Sequence, residues 1–166
     1  VHARVMRWPR ISPDGRRLVF SSFARLWVAD LPAGNASRNL TLRPRRLTNS
    51  DEGEYSPAFS PDGRWIAYAT WSDSARGHLR IVSADGRQSR RLTTAAGQYL
   101  NPAWSPDGSR IAYVTGNPAA EQIAWQPNEA LPYTIRWVAV AGGASQDVAQ
   151  VPVPHWPERS HPTPTF

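Results

Sequence analysis

The sequence predicts an all-β chain of three tandem four-stranded antiparallel sheets, and three observations carry that prediction. A Ser-Pro-Asp-Gly turn recurs at Ser12, Ser60 and Ser105. Each copy leads into a run of β-branched and aromatic residues, Leu18-Val19-Phe20, Ile66-Ala67-Tyr68 and Ile111-Ala112-Tyr113-Val114, which suits a pleated surface. The copies lie 48 positions apart from Ser12 to Ser60 and 45 from Ser60 to Ser105. Repeats of roughly 40–50 residues with four strands per unit are those of propeller blades. A helical repeat of that length would place apolar residues every three or four positions; here the apolar runs are short and bounded by Gly, Pro, Asp and Ser.

Each element follows from local chemistry. In Ser-Pro-Asp-Gly the fixed φ of proline suits the first central position of a type I turn, and glycine follows where a left-handed residue is required. Such a turn joins antiparallel strands through a local bulge. Blade one covers residues 5–48, with strands at 5–11, 17–21, 25–29 and 45–48 and a Gly-, Asn- and Ser-rich loop before the last. Blade two, residues 55–93, is the most regular copy, with strands at 55–59, 65–70, 79–83 and 89–93. Asp85-Gly86 reads as a two-residue hairpin turn between its last two strands. Blade three, residues 101–151, has strands at 101–104, 110–115, 134–140 and 147–151. An insertion at residues 116–132 carries Trp125 among three prolines. Long loops on a rigid scaffold are where function gathers, so Trp125 is a candidate binding residue. Pro164-Thr165-Phe166 stands where Pro57-Ala58-Phe59 opens blade two, so residues 162–166 read as the first strand of a fourth blade.

Composition bounds the function. A chain of 166 residues is long enough for one domain with a real core. It has no cysteine, which excludes disulfides and thiolate metal sites. No apolar run is long enough to span a bilayer, so no membrane span is expected. The chain starts at Val1 without a charged-then-apolar leader, which leaves the compartment open. Net charge is +6, and all 19 basic residues are arginine. Nucleic-acid binding wants such residues on one face. Arg16, Arg17, Arg64, Arg87, Arg90, Arg91 and Arg110 are spread over turns and strand ends instead. That is a solvated basic surface, and no nucleic-acid partner is expected.

Motifs for catalysis are missing: there is no Gly-x-Ser-x-Gly and no His-Glu-x-x-His, so no catalytic residue is expected. Asp14, Asp62 and Asp107 suggest calcium by residue type. Their fixed place in a turn favours a structural role, with the carboxylate bonding local backbone. His155, Glu158 and His161 lie close in sequence, but their proline-rich stretch fixes no helix face or strand pair for a metal. Neither metal nor cofactor is expected. The positions that vary between repeats are better candidates. Counting back from the last apolar residue of each opening strand, the same place holds Met6, Glu54, Tyr99 and His161. Innermost propeller strands line a central channel, so these side chains are candidates for a channel mouth. The plainer reading is solvent exposure at a loop end.

Three in-register turns, the Ile-Ala-Tyr strands at Ile66 and Ile111, and the Leu-Thr blade ends at Leu47 and Leu92 resemble the TolB/tricorn-type, WD-repeat-like β-propeller repeats. The resemblance runs from about Trp8 to Phe166. It implies structural repeat residues, so it speaks for fold more than for function. What it implies is a non-catalytic module that binds protein or peptide or scaffolds an assembly, with a periplasmic location favoured. The alternative is the propeller section of a larger hydrolase, of amidohydrolase or prolyl-oligopeptidase type, that positions or filters substrate. Family rings close with about six or seven blades, and three form only a partial propeller. An open fan exposes sheet faces and invites association. The chain is therefore expected to be a piece of a longer protein, or to pair two-fold as a homodimer that completes a six-bladed ring.

Overall fold

Alternating side chains with turns between them leave the chain one economical solution, a series of antiparallel meanders stacked face to face. The computed structural model describes residues 5–32, 41–116, 133–151 and Pro164. The first sheet is β1 (Arg7–Ile11), β2 (Arg17–Ser22), β3 (Arg25–Asp30) and β4 (Arg45–Arg46), hydrogen-bonded in that order. The second is β5 (Gly53–Phe59), β6 (Trp65–Trp71), β7 (Leu79–Ser83) and β8 (Ser89–Arg91), again in sequence order. The third is β9 (Tyr99–Trp104), β10 (Arg110–Thr115), β11 (Tyr133–Ala139) and β12 (Gln146–Val151). All pairings are antiparallel. No helix occurs among the described residues. These are the three expected four-stranded sheets, each open rather than closed on itself, with ends shifted by a few residues from the sequence reading.

Neighbouring sheets pack face to face, β5 against the first sheet and β9 against the second. Period-two alternation sends the side chains of β6 into two cores. Ile66 and Tyr68 join Val19, Leu26, Val28, Leu47 and Val82 between blades one and two. Ala67 and Ala69 join Leu79, Ile81, Ile111, Tyr113 and Val138 between blades two and three. Blade two is thus covered on both faces, and β6 is buried along its interior.

The Ser-Pro-Asp-Gly turn is held by its own side chains. In each copy the serine hydroxyl donates to the aspartate at 2.6 Å. That aspartate oxygen accepts an N–H two residues on, from Arg16, Arg64 or Ser109. The serine oxygen accepts the N–H of Arg17, Trp65 or Arg110 at 2.9 Å. A fourth copy occurs where the sequence suggested a two-residue hairpin. Ser83 donates to Asp85 at 2.6 Å, Asp85 accepts from Arg87, and Gln88 donates to Ser83. Five residues, 84–88, separate β7 from β8, and the two-residue expectation is corrected accordingly. Ala84 takes the place of proline, because the Ser–Asp–Gly hydrogen bonds alone suffice to close the turn. Gly86 at φ +83° is confined further: a Cβ there would stand 2.4 Å from the Leu47 carbonyl oxygen of blade one.

Each innermost strand also bends at the same place. Trp8, Ser56 and Asn101, each preceding a proline, have φ near +50°. The ladder slips a residue beside each of them. These are β-bulges, which kink the strand and increase its twist.

Candidate functional site

The innermost strands bring the candidate positions to the junctions between blades. Met6, ahead of β1, is exposed. Glu54 of β5 and Tyr99 of β9 are buried, because each has a preceding blade to pack on and Met6 has none among the described residues. The plainer reading, solvent exposure at a loop end, holds for Met6 and fails for Glu54 and Tyr99. His161 and Trp125, the insertion beyond Gly116 and all of residues 162–166 except Pro164 lie outside the described residues. Pro164 itself is buried, as are Pro57 and Pro102 at the equivalent places, whereas Pro9 is exposed.

Glu54 is a clip between blades. Its Oε2 accepts the Leu26 N–H at 3.0 Å and the Thr48 hydroxyl at 2.6 Å, both from blade one. The Ser21 hydroxyl donates to the Glu54 carbonyl at 2.7 Å. Glu54 Oε1 is buried with no hydrogen-bond partner among the described residues. At the next junction the equivalent N–H, that of Leu79, ends on the Thr93 hydroxyl at 3.1 Å. Tyr99 there donates to the Ala95 carbonyl at 2.7 Å and stacks on His78, with ring centres 6.5 Å apart. Burial, aided by the nearby Arg91 charge, holds the His78 ring below its usual range and favours its neutral form.

Two clefts open beside these elements. The smaller, about 260 Å³, is lined by Gly97, Gln98, Tyr99, Thr115, Thr134 and Arg136, at the root of the insertion. The larger, about 510 Å³, lies between blades two and three and is walled by Trp65, Trp104 and Val140, with Gly108 and the turn residues Asp62 and Asp107 also lining it. The Trp104 N–H donates to the Ala58 carbonyl at 3.0 Å, which fixes that indole against blade two.

The corresponding place between blades one and two is occupied. Arg17 sits there at the position of Trp65, five residues after the turn serine. Its guanidinium donates to the Gly63 carbonyl at 3.1 Å and reaches the Ala84 carbonyl at 3.4 Å. It also lies 5.9 Å from the centre of the Phe59 ring. In blade three the same position is Arg110, whose guanidinium lies 4.5 Å over the ring of Trp137 in its own sheet.

Both carboxylates of the larger cleft carry full charge at neutral pH. The Ser60 hydroxyl and the Arg64 N–H hold Asp62 below the usual carboxylate range. The Ser105 hydroxyl, then the N–H and hydroxyl of Ser109, hold Asp107 down to about 2. Sequence reading assigned these aspartates to the turn correctly. It missed that two of them, with two tryptophans, border one cleft.

Residues 2–131 match the family model of the TolB beta propeller domain. A search of curated proteins finds no match. Among solved structures, TolB from Acinetobacter baumannii superposes with a TM-score of 0.62 at 18% identity, over 86% of this chain and 32% of that one. The tricorn protease superposes at 0.59 with 20% identity, over 92% of this chain and 13% of that one. A puromycin-hydrolyzing peptidase of Mycobacterium tuberculosis superposes at 0.57 with 23% identity, over 86% of this chain and 22% of that one. The chain spans a third or less of each of these three proteins, and likeness at such identity is a likeness of fold.

Proposed function

The chain belongs to the TolB β-propeller family, and from that premise we propose that it is a non-catalytic module that binds a protein or peptide, with the cleft between blades two and three as its candidate site. The observation that carries this reading is how the polar side chains are used. The turn serines and aspartates close their own turns, and Glu54 and Arg17 join blade one to blade two. What remains for a ligand is shaped space with aromatic walls, which suits recognition. The test is a peptide array probed with the purified chain, followed by chromatography of the peptides. Retention of defined peptides with none cleaved supports the reading; turnover of any peptide contradicts it.

A second reading has its own support. Two of the fold neighbours are peptidases of which this chain spans a small part. On that reading the module filters or positions substrate for a catalytic domain elsewhere in a longer protein. Coding sequence next to these blades, if it specifies a hydrolase domain, favours it.

A partner for the open face of blade one is also proposed. Pro9 is exposed where its equivalents are buried, and Ile11 is 61% exposed where Phe59 and Trp104 are partly covered. A second copy of the chain, or further blades, would cover that face. Particle mass in solution decides between a homodimer and a monomer.

A further inference from the structure

We propose that the cleft between blades two and three receives an arginine side chain presented by a partner polypeptide; this rests on the binding role proposed above. The chain itself supplies the comparison. At the first junction a guanidinium, that of Arg17, lies against Phe59 and donates to the carbonyls of Gly63 and Ala84. The second junction offers the same three features in the same order. Trp104 stands where Phe59 stands, immediately before the turn serine. Gly108 stands where Gly63 stands, in the turn. Val140 stands where Ala84 stands, because the Val140 N–H bonds the Ser109 carbonyl just as the Ala84 N–H bonds the Arg64 carbonyl. All three line the open cleft. The residue that would bring the guanidinium has become Trp65, which adds a second aromatic wall.

The cleft is better suited to a foreign cation than the first junction is. Indole is the strongest aromatic partner for a cation, and Trp104 replaces a phenyl ring. Asp62 and Asp107 border the cleft and bring two negative charges to it. Basic groups stand near it too: Arg90, from β8, donates to the Val140 carbonyl, and the charges of Arg64 and Arg110 act on Asp62 and Asp107. A carbonyl oxygen has a second lone pair, so the Arg90 contact leaves room for another donor. A planar, forked guanidinium can lie flat on an indole and donate in its own plane to two carbonyls; a tetrahedral ammonium can donate to both but cannot stack flat.

The test follows the two indole N–H signals of Trp65 and Trp104 by NMR in the isotopically labelled chain while acetyl-arginine amide is added. The expected result is a saturable shift of both signals. Acetyl-citrulline amide, the same shape without the charge, should bind at least about tenfold more weakly. Trp65→Arg, which gives the junction a guanidinium of its own, should abolish the shift at Trp104. Equal shifts with citrulline overturn the proposal, and that comparison needs only the unaltered chain. Full retention of binding in a folded Trp65→Arg overturns it too. Peptides held on the array while both indole signals stay still overturn this cleft and leave the broader binding role standing.

Discussion

Between blades one and two Arg17 bridges to two carbonyls of blade two, while between blades two and three the same position is Trp65 beside a space of about 510 Å³. The inner ends of the two junctions differ as well. The Leu26 N–H ends on a buried carboxylate from the next blade, and the Leu79 N–H ends on a hydroxyl of its own blade. Turns, bulges and strand order are alike on both sides. The backbone therefore sets the spacing of the blades, and single side chains decide whether a junction is sealed or left available. That division explains how one repeat serves many roles: structural residues recur, and the residues between them specialise.

The sealed junction should be the more costly one to damage. Glu54→Ala strands the Leu26 N–H and the Thr48 hydroxyl, and should lower unfolding free energy by about 3 kcal/mol in urea titrations. Thr93→Val at the other junction strands the Leu79 N–H and loses a long contact to His78, and should cost about 1 kcal/mol. Equal losses would break the comparison. Gly86→Ala should cost about 2 kcal/mol, since the residue has φ +83° and its new Cβ meets the Leu47 carbonyl. Arg17→Met should cost about 1 kcal/mol by the same measurement. It sharpens the comparison further, because the unsealed first junction should then give acetyl-arginine amide a second saturable site.

Acid gives the smallest effect. Asp107 has its folded pKa depressed to about 2 from an ordinary 3.8. The unfolded chain thus binds a proton that the folded chain refuses between those values. The turn's contribution is complete above about pH 4 and is lost as pH falls towards 2. Asp107→Asn should flatten the acid side of a thermal-stability profile while leaving its neutral side nearly level. An unchanged acid slope would show that the Ser105–Asp107 hydrogen bond contributes nothing.

Much of this fold is legible in the chain itself. The Ser-Pro-Asp-Gly turns fix where strands begin, and the apolar runs after them can only be strands. The fourth turn, at Ser83, hid because alanine stands where proline was the signal, although Ser-x-Asp-Gly was present. The junctions were less legible. Glu54 reads as an exposed loop-end residue until blade one is seen to lie over it, since its partner Leu26 is 28 residues away. Arg17 reads as one more surface arginine because its acceptors are main-chain carbonyls, 46 and 67 residues distant, which leave no mark in side-chain chemistry. The cleft beside Trp104 was invisible for the same reason: its features come from two blades.

Whether the two junctions are one device with and without its plug is decided by a crystal structure of Trp65→Arg. The introduced guanidinium should lie against Trp104 and donate to the Gly108 carbonyl, filling the cleft as Arg17 fills the corresponding place at the first junction. A side chain extended into solvent, with the cleft still open, would contradict it.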